Sequence, residues 1–178
     1  MNNKRKSMLK VVLIGPESSG KTVLAEQLAQ HFETTWVPEY LRVFFDEKQA
    51  VFEENMQEIA QKQLKSEENG LKMAQRAIFY DTNCMTLKVY HQLYFDSEPF
   101  WFNTLFKKEN YDHYLLLKPD IPWVDDGQRD MPHRREELFK LFEQELQAIE
   151  ADYTIVHGDF QSRTSMAIQK VSELLAKV

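Results

Sequence analysis

Residues 15–22, GPESSGKT, have the composition of a loop that binds phosphate. They match the pattern G-x-x-x-x-G-K-[ST] and lie between a short aliphatic run and an amphipathic helical segment, a context that disfavours a plain glycine turn followed by a solvated lysine. Backbone N–H groups and the helix N-terminus then point at one position and favour negative charge there. The Lys21 ammonium group can reach the β- and γ-phosphates, and the Thr22 hydroxyl can bind Mg²⁺. We predict that ATP is bound with Mg²⁺ by Gly15, Glu17, Ser18, Ser19, Gly20, Lys21 and Thr22.

Two acidic residues follow predicted strands, at the edge where parallel sheets bind ligands. Asp81 comes directly after the third predicted strand and can hold Mg²⁺ together with Thr22, directly or through water. It can also cap the following helix, and the two roles are compatible. Glu39 comes after the second predicted strand, opposite the phosphate loop, where a carboxylate can accept the proton of an attacking hydroxyl. The alternative role for Glu39 is that of an ordinary acid in the first turn of a helix.

A stiff polar loop after the fourth predicted strand carries an arginine. Residues 118–130, KPDIPWVDDGQRD, contain two prolines, a glycine and a tryptophan before Arg129. An arginine on a loop that closes over a triphosphate stabilises charge in the transition state, and we predict this role for Arg129 in a lid at about residues 120–135. Arg134 is a further candidate for binding ATP. Arg134 and Arg135 could instead pair with neighbouring acids. The predicted catalytic residues are Lys21, Glu39 and Arg129.

Composition limits the class of protein. The 178 residues fit one domain, 1–178, and 22 basic against 28 acidic residues give a net charge of −6, which argues against a general nucleic-acid binder. Cys84 is the single cysteine, so no disulfide forms within the chain, as is typical of a reducing compartment. The sequence has neither an apolar run of about 18 residues nor a signal-peptide pattern. We therefore predict a cytoplasmic protein without a membrane partner.

Short apolar runs alternate with helical patterns along the chain. The predicted strands are residues 9–14, 34–37, 77–80, 113–117 and 153–156. Helical patterns are found in residues 46–75 with a break at Gly70, 87–106 with an interruption at Pro99, 138–149 and 168–178, the last ending at Val178. A core position is expected for five aromatic residues, with stacking on a ligand as the alternative: Phe95, Phe100, Trp101, Phe102 and Phe106. This alternation predicts an α/β fold, a five-stranded parallel sheet with helices on both faces.

Motors, switches and kinases share phosphate loops of this type, so other motifs must decide between them. The chain has no N-K-x-D motif, which argues against a GTPase, and no L-S-G-G-Q-like segment of a transporter ATPase. It is too short for a mechanical ATPase with a helical lid domain. A small chain with a polar, arginine-bearing loop late in the sequence is typical of small-molecule kinases, which position substrates and neutralise charge.

Four motifs in chain order resemble the ribosylnicotinamide kinase domain of NadR-type NAD-biosynthesis proteins. They are GPESSGKT at 15–22, WVPEYLR at 36–42, DTN at 81–83 and DIPWVDDGQR at 120–129. The resemblance extends from residue 9 to about residue 163, and the last motif is the most specific. It implies a P-loop NTPase fold similar to that of nucleoside and nucleotide kinases, with a lid loop.

The resemblance also implies a reaction, the ATP-dependent phosphorylation of nicotinamide riboside to nicotinamide mononucleotide in NAD salvage. The residues that it implies around the substrate are Trp36, Tyr40, Asp81, Asp120, Trp123 and Asp125, which supply the aromatic faces and acids that a cationic ring prefers. The chain departs from the family pattern at Asn83, where a second Asp is expected. It also lacks the H-x-G-H signature and the helix-turn-helix of longer members, so we expect it neither to synthesise NAD nor to repress transcription.

Two further functions stay open at this stage. One is a kinase of another nucleoside or small metabolite. The other is a nucleotide-binding regulatory or ATPase module with no small-molecule acceptor. An assay of ADP release across a panel of nucleosides separates these possibilities.

Overall fold

Five parallel strands form one sheet in the computed structural model, which describes residues 8–129 and 131–177. The strands are β1 (Leu9–Ile14), β2 (Thr35–Val37), β3 (Ala77–Asp81), β4 (His113–Leu117) and β5 (Tyr153–Val156). Their order in the sheet is β2-β3-β1-β4-β5, so the central strand β1 pairs with β3 and β4. The bounds agree with the predicted strands to within one residue, and the predicted α/β fold is confirmed. The predictions for residues 1–7, Asp130 and Val178 lie outside the described residues.

Helices cover both faces of this sheet. They are α1 (Lys21–His31), α2 (Tyr40–Lys48), α3 (Met56–Met73), α4 (Cys84–Phe95), α5 (Phe102–Leu105), α6 (Arg135–Ala148) and α7 (Phe160–Leu175). On one face, α1 and α7 bury Leu28 and Val171 against β1 and β4. On the other face, α3, α4 and α6 bury Ile59, Met85 and Phe142. In the described part of the chain, no helix is both long enough and apolar enough to cross a membrane.

Gly70 does not break a helix, so the sequence prediction was wrong there. It lies inside α3, which continues to Met73. A Cβ atom at Gly70 would lie 2.5 Å from Cγ2 of Val37 and 3.2 Å from Cδ1 of Ile78. Glycine is required because α3 packs closely on β2 and β3.

The aromatic residues from the end of α4 onwards divide between the core and the surface. Trp101, Phe102 and Phe106 are buried, as expected. Phe100 is 81% exposed, so its assignment to the core was wrong. Phe95 is half-buried and lines a pocket at the carboxyl end of the sheet. Sequence spacing alone does not separate these positions, because α4 ends at Phe95 and the irregular chain that follows has no fixed period.

Candidate active site

The predicted phosphate loop joins β1 to α1 at the carboxyl end of the central strand. Gly15 has φ of 146°, and a Cβ atom there would lie 2.6 Å from the Leu117 carbonyl oxygen of β4, so only glycine fits. The Lys21 ammonium group donates hydrogen bonds to the carbonyl oxygens of Gly15 (2.9 Å) and Pro16 (2.8 Å). Burial lowers the pKa of Lys21, and the carboxylates of Glu39 and Asp81 oppose that effect. The lysine therefore lies at the base of the loop, beside both predicted acids.

Two buried arginines hold the outer side of this loop. Arg135 donates to the carbonyl oxygens of Glu17 (3.2 Å) and Ser18 (3.0 Å), and Arg163 donates to that of Ser19 (2.6 Å). In a trans peptide the N–H points away from the C=O of the same plane. The peptide N–H groups that follow these carbonyls therefore point to the inner side of the loop, where an anion is bound in loops of this type.

Sequence reasoning missed the role of these two arginines. Arg163 is in helical phase with the buried Ala167 and Val171, and Arg135 is in phase with Leu138 and Phe142. An arginine within the apolar stripe of a helix indicates a buried guanidinium group. Such a group predicts a structural hydrogen-bonding role, because a charged side chain is rarely buried without partners.

Thr22 and Asp81 form the predicted metal-binding pair. The Thr22 hydroxyl donates to Oδ2 of Asp81 at 2.5 Å. The other carboxylate oxygen, Oδ1, is buried and has no hydrogen-bond partner among residues 8–129 and 131–177. Burial raises the pKa of Asp81. A hydroxyl beside a buried carboxylate oxygen with unused acceptor capacity fits a hard divalent cation, so these residues could hold Mg²⁺.

This pair would supply only part of the coordination shell of a metal ion. The part of the chain that the structure describes contains no group of three or more histidine, cysteine, aspartate or glutamate residues that could hold a metal. Mg²⁺ commonly takes one or two protein ligands, and nucleotide phosphates and water complete its octahedron. The site therefore suits a metal ion that arrives with a nucleotide.

Asp81 does not cap the helix that follows it. Asn83 is the N-cap of α4, and its side chain accepts the backbone N–H of Met85 at 3.1 Å. The Asn83 amide also donates to the Tyr114 hydroxyl at 3.2 Å. Thr82 has φ of 69°, a left-handed conformation that is uncommon for a β-branched residue and concentrates at functional sites.

Glu39 turns towards the phosphate loop rather than along its own helix. It is the N-cap residue of α2, but in the described structure its side chain makes no capping hydrogen bond. Its carboxylate accepts from the Thr82 hydroxyl (3.3 Å) and lies 3.5 Å from Nε of Arg42. Burial first, and then the Asp81 carboxylate, raise the pKa of Glu39. These contacts do not fit an ordinary first-turn acid.

The loop after β4 lies against the phosphate loop. The Trp123 indole N–H donates to Oε1 of Glu17 at 2.7 Å, and the Val124 backbone N–H donates to the Ser18 hydroxyl at 2.8 Å. Arg129 donates to the same hydroxyl at 3.2 Å and to the Val124 carbonyl at 2.6 Å. The predicted lid residues Trp123 and Arg129 therefore reach the loop through Glu17 and Ser18.

Asp126 connects the lid segment to α2. One of its carboxylate oxygens accepts from Nη1 of Arg42 at 2.8 Å and lies 3.1 Å from Nε of Arg129. The same Arg42 faces Glu39, so Asp126 indirectly joins the predicted lid cation to the predicted base. Burial acts to raise the pKa of Asp126, but the hydrogen bonds from Arg42 and the backbone and the charges of Arg42 and Arg129 together outweigh it and hold the pKa below its usual value.

A pocket of ≈ 320 Å³ opens between the phosphate loop, α2, α4 and the lid segment. Its charged lining residues are Glu17, Lys21, Glu39, Arg42 and Arg129. The other lining residues are Leu41, Phe45, Val51, Met56, Tyr90, Tyr94, Phe95 and Gln128. One end is therefore ionic and adjoins the phosphate loop, and the rest is largely aromatic and aliphatic. An organic molecule with a polar reacting end fits such a pocket.

None of the three aromatic residues predicted at the substrate, Trp36, Tyr40 and Trp123, is among the residues that line this pocket. Trp36 packs on the opposite face of the sheet, against the cluster that contains Leu28 and Phe79. Successive residues of β2 alternate between the faces, and Val37 takes the pocket side. The Tyr40 side chain is half-buried against the core, and its backbone N–H donates to Oε1 of Gln63 at 2.8 Å.

Three further predicted residues have other partners. Asp120 forms an ion pair with Arg163 and accepts the Gly158 backbone N–H at 2.8 Å. Asp125 is exposed and accepts the backbone N–H of the nearby glycine of its own turn at 2.9 Å. The Arg134 guanidinium makes two hydrogen bonds, of 2.8 and 2.7 Å, to Glu137, which is the alternative that the sequence left open.

The aromatic lining residues of α2 and α4 were not predicted as site residues. Tyr90, Tyr94 and Phe95 lie four and five positions apart on α4, and Leu41 and Phe45 lie four apart on α2. The spacing of four places Tyr90 with Tyr94, and Leu41 with Phe45, on one face of their helices, whereas Phe95 lies about 100° further round α4 than Tyr94. The sequence signal was the aromatic density of α4, but it does not show which face is turned to a ligand.

Taken together, the parallel sheet, the glycine loop, Lys21, and the Thr22–Asp81 pair define a protein with a P-loop kinase-like fold. The chain belongs to a P-loop family described as an AAA domain, whose model matches residues 10–163.

Comparisons with individual proteins agree with this assignment. The chain is 27% identical over 175 residues to the trifunctional NAD biosynthesis/regulator protein NadR of Escherichia coli (strain K12); the match covers 94% of this chain and 43% of that protein. A crystal structure of NadR in complex with NR is 24% identical, with a TM-score of 0.79, covering 93% of this chain and 51% of the other. A deoxyadenosine kinase from M. mycoides is 13% identical, with a TM-score of 0.63, covering 93% and 100%. The resemblance that the four motifs indicated is confirmed, and this chain spans less than half of the curated relative.

Proposed function

We propose that the protein transfers the γ-phosphoryl group of ATP to nicotinamide riboside, giving nicotinamide mononucleotide and ADP. The observation that carries the proposal is the Glu39 carboxylate, only 12% exposed, which lies beside Lys21 at the ionic end of a pocket whose other end is largely aromatic and aliphatic. A nucleoside kinase needs such an acid next to the phosphate loop, together with an apolar space for the rest of the acceptor. The similarity to NadR, one structure of which holds NR, favours nicotinamide riboside among nucleosides.

The shape and charge of the pocket suit this acceptor. Nicotinamide riboside carries a cationic pyridinium ring, and aromatic faces and carboxylates attract organic cations. Tyr90 and Tyr94 supply aromatic faces, and Glu17 and Glu39 supply the acids. In this proposal the predicted substrate roles of Trp36, Tyr40, Asp120, Trp123 and Asp125 pass to the residues that line the pocket.

Nucleotide binding follows from the loop at residues 15–22. Its inward N–H groups receive the phosphates, and the Lys21 ammonium group exchanges its two carbonyl partners for phosphate oxygens. Thr22 and Asp81 would hold Mg²⁺, which when bound neutralises charge on the β- and γ-phosphates. The whole α1 helix lies behind this loop and adds the positive end of its dipole.

Proton transfer is assigned to Glu39. Its raised pKa makes the carboxylate a better proton acceptor than a solvated glutamate, while the charges of the nearby Lys21 and Arg42 favour its ionised form. The 5′-hydroxyl proton passes to Glu39, the hydroxyl oxygen forms a bond to the γ-phosphorus, and the bond from that phosphorus to the β–γ bridging oxygen breaks to release ADP. Arg129, held at the Ser18 hydroxyl, stabilises the charge that spreads over the transferred group.

The proposal is tested by ADP release from the purified chain with Mg²⁺-ATP and a panel of nucleosides. Nicotinamide riboside should accelerate ADP release more than adenosine, deoxyadenosine, cytidine or uridine, and mass spectrometry should identify nicotinamide mononucleotide. A preference for another nucleoside would reassign the acceptor. ADP release that no nucleoside accelerates would favour an ATPase module. Cytoplasmic location and the absence of a nucleic-acid partner stay predictions.

A further inference from the structure

Gln63 and Glu67, both on α3, form a hydrogen-bonded chain that ends beside Glu39. Tyr111 donates its hydroxyl proton to Oε2 of Glu67 at 2.8 Å, and the Gln63 amide donates to Oε1 of Glu67 at 3.3 Å. The Gln63 carbonyl oxygen accepts the Tyr40 backbone N–H at 2.8 Å. Gln63 is 2% exposed and Glu67 is 6% exposed, so water does not replace either partner.

The chemistry of the neighbours permits only one orientation of the Gln63 amide. A backbone N–H can only donate, so the group facing Tyr40 must be the amide oxygen. The amide nitrogen then faces Glu67, whose carboxylate accepts. Glu67 therefore sets the direction in which Gln63 presents its oxygen, and the spacing of four residues on one helix brings the two side chains together.

The Tyr40 N–H is an unusual point of attachment. Tyr40 is the first residue of α2, where backbone N–H groups have no partner within the helix. The Glu39 side chain is not used as a cap in the described structure, because it turns to Thr82 and Arg42. Gln63 therefore supplies, from α3, an acceptor for one of the N–H groups that α2 cannot satisfy itself.

Fixing this N–H also fixes Glu39. The Glu39 carbonyl and the Tyr40 N–H belong to one rigid peptide plane, which is bonded directly to Cα of Glu39. The carboxylate's own contacts, at 3.3 and 3.5 Å, are long for hydrogen bonds. We propose that Gln63, oriented by Glu67, is a positioning residue that holds the Glu39 carboxylate in line with the γ-phosphate.

The kinetic part of the test rests on the proposed kinase activity. Gln63→Met keeps the length of the side chain and removes its amide. A displacement of the base of about 1 Å can cost about a hundredfold in rate, so we expect kcat to fall by about ten- to a hundredfold. The KM for ATP should not change, since Gln63 touches no part of the phosphate loop. A loss of ATP affinity with unchanged kcat would overturn the proposal.

Exchanging Gln63 and Glu67 should restore the kcat that a single substitution lowers. In the double variant Gln63→Glu/Glu67→Gln, the new carboxylate accepts the Tyr40 N–H and the new amide donates back to it. The single variant Gln63→Glu instead places two carboxyl groups against each other. We expect the single variant to be slow and the double variant to recover most of kcat. Failure of the double variant to exceed the single one, with both folded by circular dichroism, would contradict the proposal.

A matched control separates positioning from stability. Tyr111→Phe removes a hydrogen bond from the same buried Glu67 but leaves both Gln63 contacts in place. It should lower the melting temperature and leave kcat near the wild-type value. If Tyr111→Phe and Gln63→Met lower kcat equally, the effect is one of general stability and the proposal fails.

A final readout needs no turnover. Amide hydrogen exchange measured by NMR should show the Tyr40 N–H protected in the wild-type protein and much less protected in Gln63→Met, while amides of the central strand β1 stay unchanged. If no nucleoside is phosphorylated, the proposed function fails while this measurement still tests the hydrogen-bonded chain. An unprotected Tyr40 amide in the wild-type protein refutes the chain itself, whatever the acceptor.

Discussion

Glu67 is a buried acid that should make the stability of the protein depend on pH. Burial raises its pKa from 4.5 to about 7, although the hydrogen bonds from Tyr111 and Gln63 oppose that effect. In the unfolded chain the carboxyl group ionises near its ordinary value. Between these two values the folded protein binds more protons than the unfolded chain, so the free energy of unfolding falls as the pH rises.

The size of this loss of stability follows from the difference between the ordinary pKa of Glu67, 4.5, and its pKa in the folded protein, about 7. Each pH unit across such a window is worth about 1.4 kcal/mol for one group. Between about pH 5 and about pH 8, the ionisation of Glu67 should therefore cost roughly 2–3 kcal/mol of stability. Because Glu67 is 6% exposed, solvent screening reduces this figure little.

Glu67→Gln isolates this contribution. Glutamine stays neutral, accepts from Gln63 through its oxygen and donates to the Tyr111 oxygen, so the packing and the number of hydrogen bonds are kept. Urea unfolding of both proteins at about pH 5 and about pH 8 should show that the variant gains roughly 2–3 kcal/mol relative to the wild type at the higher pH. Parallel pH dependence in the two proteins would show that Glu67 titrates near its ordinary value, and the reasoning from burial would be wrong.

Four further substitutions test the site and the fold. Lys21→Ala should sharply weaken ATP binding by calorimetry without lowering the melting temperature, and unchanged affinity would remove the nucleotide role of the loop. Glu39→Gln should lower kcat by ~10²–10⁴-fold and leave ATP affinity alone; a change in KM alone would make Glu39 a binding group. Arg129→Lys lacks the planar fork and should lower kcat by about tenfold or more; a near-normal rate would exclude Arg129 as the lid cation. Gly70→Ala should cost about 1–3 kcal/mol in urea unfolding because its methyl group meets Val37, and wild-type stability would mean that α3 can move off the sheet.

The sequence predicted the features that depend on a few neighbouring residues. The strand runs and the phosphate loop are local patterns, and the carboxyl ends of β1, β2 and β3 bring Lys21, Glu39 and Asp81 together because parallel strands end at one edge. For the same reason Asp81 lies at the sheet edge where the sequence predicted it. The residue that caps the next helix is Asn83.

Features that depend on the contacts between elements were not predicted. Trp36 was expected at the substrate from the family resemblance, but the alternation of side chains along a strand places it on the other face of the sheet. Asp120 was expected there too, and a distant Arg163 takes its carboxylate instead. The aromatic side of the pocket arises where α2 and α4 meet, which no single segment of the sequence shows.

The two arginines behind the phosphate loop have a consequence for the order of folding. β1 and the phosphate loop leave the ribosome before α6 and α7, because Arg135 and Arg163 follow the carbonyls that they hold by 118 and 144 residues. A growing chain can pair β1 with β3 and β4 before α7 exists, but the outer support of its loop is incomplete until Arg163 of α7 reaches the Ser19 carbonyl. The earliest motif of the sequence therefore becomes competent last, and capture of a nucleotide by the nascent chain would report that synthesis has passed α7.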